Sequence, residues 1–151
     1  MAAGFKVAAE GFRQFHEALA ERLAPEIAIA GQTRVLEIDG LVGPAGAYAA
    51  ASALDRLAPF GAGNPEPRFA MPGLRLKHVD IIKDAHLRLR LEGGDGAKID
   101  AMAFRVADRP LGQFLIDAVG KVIHVAGRIE IDTWRGRDSA RMIVEDAAPA
   151  N

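Results

Sequence analysis

Basic side chains recur at intervals of two in one short segment of this chain. In His86-Leu87-Arg88-Leu89-Arg90-Leu91-Glu92 the leucines fall on one face of a strand, and His86, Arg88 and Arg90 fall on the other. Arg75 and Lys77 alternate with Leu74 and Leu76 in the same way. Two such strands side by side would present four cations to one surface, which suits the phosphates of a nucleic acid. The turn Trp134-Arg135-Gly136-Arg137 is a second candidate. Its indole offers a face for a base, and Arg135 and Arg137 offer charge for phosphates. Such stacking contributes about 1–3 kcal/mol per base without reading sequence. Plainer readings stand beside both. Alternating arginines also suit a solvated sheet face, and a tryptophan in a hairpin can cap the end of a barrel. Glu130, Asp132 and Asp138 dilute the charge of that turn.

Other chemistry finds little support. His78, Asp80, Asp84 and His86 are the closest grouping of metal-ligand types, but they do not make a convergent ligand set. The two serines, Ser52 and Ser139, lack a Gly-x-Ser-x-Gly elbow. Gly61-Ala62-Gly63 lacks the Lys-Ser/Thr that follows in a phosphate loop. With no cysteine there is no disulfide, no thiolate nucleophile and no Cys-based zinc site. No catalytic residue and no metal site is therefore assigned.

A length of 151 residues suits one domain, or a small domain with part of another. Net charge is −1, so there is no global basic signal for nucleic acid, and placement of the arginines matters more than their number. No apolar run approaches the ~18 residues of a membrane span. The N-terminus lacks an apolar signal region, and the cysteine-free composition fits a reducing cytoplasm.

The elements that must position these residues change character along the chain. Residues 2–8 read as a short strand with Phe5 and Val7 on one face. Phe12, Phe15, Leu19 and Leu23 predict a helix over 10–24 that packs by these residues and stops at Pro25. Residues 35–39 read as a second short strand. An Ala-rich helix follows over 45–58, with Tyr48, Ala51, Leu54 and Ala58 on its buried face and Leu57 at the edge.

The run Pro59-Phe60-Gly61-Ala62-Gly63-Asn64-Pro65-Glu66-Pro67 cannot continue a helix or a central strand. It predicts a shaped corner, with positive φ available at Gly61, Gly63 and Asn64 and with Phe60 as an apolar plug. The period then becomes two. Strands are expected over 74–82, with a phase shift near Val79 that suits a bulge, and over 86–92. Gly93-Gly94-Asp95-Gly96 makes the hairpin turn, and a third strand covers 97–104. A helix opened by Pro110 over 109–118, strands over 121–131 and 139–145, and a frayed tail at 147–151 complete the chain. Strand-strand-strand-helix-strand-strand is the order of the five-stranded OB barrel. A generic five-stranded barrel or half-sandwich has the same order.

The pieces Met1-Ala2-Ala3-Gly4-Phe5-Lys6-Val7, Leu36-Glu37-Ile38-Asp39, Pro59 to Pro67, Ile99-Asp100-Ala101-Met102-Ala103-Phe104 and Trp134-Arg135-Gly136-Arg137 occur in this order. Together they resemble the C-terminal portion of RecJ, the single-stranded-DNA-specific 5′→3′ exonuclease of bacteria. The nine-residue corner is the most specific of them.

The resemblance implies an α+β chain: a five-stranded OB-type β-barrel preceded by a small, truncated DHHA1-like α/β segment. Its boundaries would be 1–58 for the DHHA1-like remainder, 59–67 for the connector, 68–146 for the OB domain and 147–151 for the tail. The family's Asp-His-His and Gly-Gly-His motifs do not occur in this sequence, so no catalytic residue or metal ligand carries over. Mn²⁺ or Mg²⁺ is implied for the parent enzyme and no cofactor for this chain.

The implied partners are single-stranded DNA, the catalytic domains of the parent chain and a single-stranded-DNA-binding protein. The implied contacts are Arg75, Lys77, Arg88 and Arg90 on the barrel face, with Trp134, Arg135 and Arg137 in the loop between the last two strands. A module that docks on the catalytic core or on such a protein partner is the alternative. An intact enzyme with a metal near His78–His86 is a third.

Overall fold

The structure, a computed structural model, describes residues 6–31, 35–133 and 138–150, with backbone alone for 27–31. It forms two compact units, Met1–Leu36 and Glu37–Asn151.

In the first unit a 3-10 turn, Ala9–Gly11, leads into helix α1, Phe12–Gly31. Pro25 lies inside α1 rather than ending it. A proline removes one backbone donor, but the alanines and aliphatics on both sides are good helix formers and carry the helix past it. Phe12 is 62% exposed and no described side chain of this unit is buried, so the expected packing of Phe12, Phe15, Leu19 and Leu23 into a core is not seen. Residues 6–8 form no strand, and the rest of the expected 2–8 strand lies outside the described residues.

The second unit is built on a closed barrel of five strands: β2 (Phe69–Ile82), β3 (His86–Glu92), β4 (Lys98–Ala103), β5 (Val122–Asp132) and β6 (Ser139–Pro149). A short strand β1, Gly40–Leu41, precedes them. The barrel order is β2-β3-β4-β6-β5, and β5 returns to β2. Asp100–Met102 of β4 runs parallel to Arg141–Ile143 of β6; the other barrel neighbours are antiparallel. Helix α3, Pro110–Asp117, lies between the third and fourth barrel strands and opens at Pro110.

The alternating leucines drive closure. Leu87, Leu89 and Leu91 are essentially inaccessible, as are Leu74 and Leu76, and they meet Met71, Ile123, Val125, Met142 and Leu115 in one core. Each fully buried side chain of this size contributes ~1.5–3 kcal/mol.

Long β2 serves two partners. Phe69 to Arg75 pairs with β5, and Arg75 to Ile82 pairs with β3. Register shifts lie between Met71 and Leu74 and between Leu76 and His78, the second being the expected bulge. Gly73 has φ 68° at the first, where its N–H donates to His124 Nδ1 at 3.0 Å. On β5, a Cβ at Gly127 would come within 1.9 Å of the Ile143 carbonyl oxygen, so only glycine allows β6 this close.

Residues 35–39 form no strand; pairing begins at β1, which runs parallel to Phe69–Ala70. Asp39 sets that start, since its N–H donates to the Arg68 carbonyl and its carboxylate accepts from the Arg68 N–H, both at 2.8 Å. A 3-10 turn, Pro44–Gly46, then leads into α2, Ala47–Asp55, shorter than the expected 45–58. The helix buries Ala47 and Ala51, while Tyr48 (46%) and Leu57 (61%) are exposed. Small residues, not the large ones, face the barrel because α2 lies directly on β5 and β6. Glu37–Asp55 therefore shares a compact unit with the barrel, whereas the expected division fell at Pro59–Pro67.

That corner is held by Asn64 rather than by left-handed backbone. Positive φ occurs at other glycines and at Lys83, Asp84 and Arg105, not at Gly61, Gly63 or Asn64. Asn64 Nδ2 instead donates to the carbonyls of Leu57 (3.1 Å) and Pro59 (3.2 Å), and Gly61 and Asn64 exchange backbone bonds. Phe60 is half-buried and stands outside the apolar cluster of the barrel. Arg128 then ties the corner to the sheet, bonding Glu66 at 2.7 Å and Glu145 at 2.9 Å. As far as Pro149 the tail is not frayed: Ala147, Ala148 and Pro149 pair with Val125, His124 and Ile123, and Asn151 lies outside the described residues.

Candidate nucleic-acid interface

Period-two alternation places the odd leucines of β3 inside, so His86, Arg88, Arg90 and Glu92 face out. Register then aligns them with outward residues of β2 and β4. One row reads Arg75-Glu92-Lys98, the next His78-Arg90-Asp100, and the third Asp80-Arg88-Met102. The bulge beside Leu76 puts both Lys77 and His78 at the surface. Lys77, His78, Arg90, Glu92, Lys98 and Asp100 line an open groove of about 570 Å³ across this face.

The cations differ in availability. Both Nε (3.1 Å) and Nη2 (2.6 Å) of Arg88 donate to Asp80 Oδ2, and His78 Nε2 donates to Asp80 Oδ1 at 2.8 Å. The guanidinium of Arg88, and then His78, hold the Asp80 carboxyl below its ordinary range. Arg90 is looser: its Nε lies 3.9 Å from Asp100, and its side chain is 58% exposed. Lys77 Nζ is 3.8 Å from Glu92 and also half exposed. Arg75 turns aside and donates to the Gly120 carbonyl at 2.8 Å.

The structure thus brings Arg75, Lys77, Arg88 and Arg90 to one face. Trp134, Arg135 and Arg137 lie outside the described residues. Sequence reasoning missed Lys98 and His78. Lys98-Ile99-Asp100 carries the same alternation as β3, so Lys98 was readable; His78 reaches the surface only through the bulge. Among the described residues no group of three or more His, Asp or Glu could hold a metal ion. His78 and Asp80 bond each other, while His86 Nδ1 accepts the Arg105 N–H at 2.9 Å.

A five-stranded barrel closed by a parallel pair, with a helix between its third and fourth strands and an open groove on the face of the second and third, is an OB-fold domain. The model of the RecJ OB domain family matches residues 38–146, and the chain belongs to that family. Crystal structures of RecJ from Thermus thermophilus, in complex with Mn²⁺ and with Mg²⁺, are similar at a TM-score of 0.57 and 23% identity over 87% of this chain. The match covers 20% and 21% of those RecJ chains, so this chain spans about a fifth of their length. The Stn1-Ten1 complex of S. pombe matches at a TM-score of 0.44 and 16% identity, over 56% of this chain and 58% of that one. No curated protein matches. Among the described residues no helix is long and apolar enough to cross a membrane.

Proposed function

We propose that the chain is the single-stranded-DNA-binding OB module of a RecJ-like 5′→3′ exonuclease acting in the cytoplasm. The groove on β3 and β4 carries this reading, because OB barrels take oligonucleotides on that face. Arg75, Lys77, Arg88, Arg90 and Lys98 outnumber Asp80, Glu92 and Asp100 there, so the face attracts phosphates although the whole chain does not. Lys77, Arg90 and Lys98 neutralise phosphates, and Arg88 positions Asp80 and His78. Trp134, Arg135 and Arg137 are kept in this proposal as further contacts, the tryptophan for a base and the arginines for phosphates. Phosphate contacts carry no sequence information, so binding is general. Hydrolysis belongs to the catalytic domain of the parent, with Mn²⁺ or Mg²⁺ bound there. The chain by itself is expected to cleave nothing.

Fluorescence anisotropy of labelled single-stranded DNA at low salt tests this. The chain should bind weakly, and Arg90→Ala with Lys98→Ala should weaken binding. The same double substitution should flatten the log–log salt slope by about 0.7 for every phosphate that is no longer neutralised. Absence of binding, or binding indifferent to the double substitution, overturns the interface.

The ion pairs on this face favour a second reading. Arg88–Asp80, Lys77–Glu92 and Arg90–Asp100 make a mixed-sign surface of the kind that docks another protein. A complex with the catalytic domains or with a single-stranded-DNA-binding protein at moderate salt, without DNA binding at low salt, selects it.

A further inference from the structure

We infer that Phe104 and His86 form a nucleobase-stacking platform at the far end of the cationic groove. The inference rests on the single-stranded-DNA reading and adds to it a contact with bases rather than phosphates.

Phe104 directly follows β4 and continues its outward series Lys98, Asp100, Met102. At the rise of a strand it lies about 13 Å beyond Asp100. It is 49% exposed, whereas the other outward side chains of β3 and β4, apart from Met102, are polar or charged. A lone exposed apolar residue needs no explanation, but this one is held in place. Its ring meets that of His86 edge to face, with centroids 5.3 Å apart and planes at 74°. His86 is oriented in turn, since its Nδ1 accepts the Arg105 N–H at 2.9 Å. Arg105, which donates that bond, has φ 56°, a left-handed conformation unfavourable for an arginine and shared by Lys83 and Asp84 in the β2–β3 loop. Backbone strain of this kind gathers where a surrounding structure imposes a functional geometry.

The β2–β3 loop is bonded to the same place. The Ala85 carbonyl accepts the N–H of Val106 at 2.9 Å and of Ala107 at 3.2 Å. That loop is one of the two through which OB barrels hold oligonucleotides. It brings exposed Lys83, with Asp84 beside it, while Arg105 is exposed next to the ring. An oriented, half-open aromatic pair, with Arg105 adjacent to Phe104 and Lys83 three residues before His86, on the strands that carry Arg90 and Lys98, fits an unpaired base whose phosphates run into the groove. Every base has a π-face, so the platform is indifferent to sequence.

The test compares labelled oligo(dT) with an abasic oligomer of the same length, using the 151-residue chain. Phe104→Ala should weaken oligo(dT) binding about five- to hundred-fold, leave the salt slope unchanged and leave abasic binding unchanged. Phe104→Trp should retain affinity. Equal loss on both probes, or no loss on either, overturns the platform. A thermal melt checks that the alanine variant folds. If it does not, Phe104→Trp on a Trp134→Phe background provides the readout: emission should be quenched by oligo(dT) and not by the abasic oligomer, and unquenched emission overturns the proposal. If the unmodified chain binds neither probe, the single-stranded-DNA reading fails as a whole; if it binds both alike with Phe104 intact, only the platform fails.

Discussion

Arg88 and Asp80 face each other across β2 and β3, and both Nε and Nη2 of the arginine reach the same carboxylate oxygen, at 3.1 and 2.6 Å. The other oxygen takes His78 at 2.8 Å. This arginine is engaged by its own fold before any ligand arrives. A guanidinium held by a carboxylate has less to offer a phosphate than one that can reorient.

Arg88 and Arg90 should therefore behave differently although they share one strand face. Arg90→Ala is expected to lower both affinity for single-stranded DNA and its salt dependence. Arg88→Ala should act mainly on stability, by leaving Asp80 with His78 alone. Titrations at several salt concentrations, paired with thermal melts, separate the two. Equal salt slopes for the two variants would refute the division of roles.

Asp80 carries a pH signature. Its folded pKa lies below the unfolded value because Arg88, first, and His78 stabilise the carboxylate. The ionised group then favours the native state above the unfolded pKa of about 3.9, and this contribution is lost as pH falls through the folded value. Thermal melts between about pH 2 and 6 should show the parent chain losing stability below about pH 4, with Asp80→Asn losing less. Superimposable pH profiles would mean the pair does not contribute.

Gly127→Ala places a methyl group where the Ile143 carbonyl oxygen already sits. Strands β5 and β6 must then separate at their bulge, at a cost of about 1–3 kcal/mol by comparison with other overpacked sites. Urea unfolding monitored by circular dichroism measures this directly. A midpoint unchanged from the parent would show that the sheet relaxes freely at that position.

Asn64→Ala removes the two bonds that close the Pro59–Pro67 corner. The site is exposed, so the expected loss is modest, about 1 kcal/mol in all. Proteolysis should find the corner more readily in the variant than in the parent. Identical digestion patterns would show that the side-chain bonds of Asn64 do not hold the corner.

The barrel was legible in the sequence where burial imposes a clean period. Leu87, Leu89 and Leu91 left no other strand face to bury, and Gly93 to Gly96 marked the turn after them. Legibility failed where the signal is local in sequence but the cause is distant. Pro72-Gly73 hides the first half of β2, whose pairing is decided by β5. Alanines 147 and 148 look like a tail until Val125 and His124 supply partners. In α1 a proline looks like a stop until the strong helix formers beyond it are weighed.

The site followed the same rule. That Arg88 and Arg90 share a face comes from alternation alone. That Arg88 is held closely by Asp80 while Arg90 has only its looser pair with Asp100 depends on a bulge that brings Asp80 level with one and His78 level with the other. Phe104 ends a recognisable run of strand residues, yet it carries no functional signal until His86 is seen against its ring.

The parallel pairing of β4 with β6 has a dynamic consequence. It spans three register pairs, Asp100 to Met102, whereas β5 and β6 are matched along almost their whole length. A closed ring of strands breathes first at its shortest joint, because fewest bonds must break together there. Amide hydrogens along that seam should exchange through a lower opening free energy than those of the β5–β6 ladder. The seam borders the outward face of β4, so the wall most able to yield is also the one beside the groove.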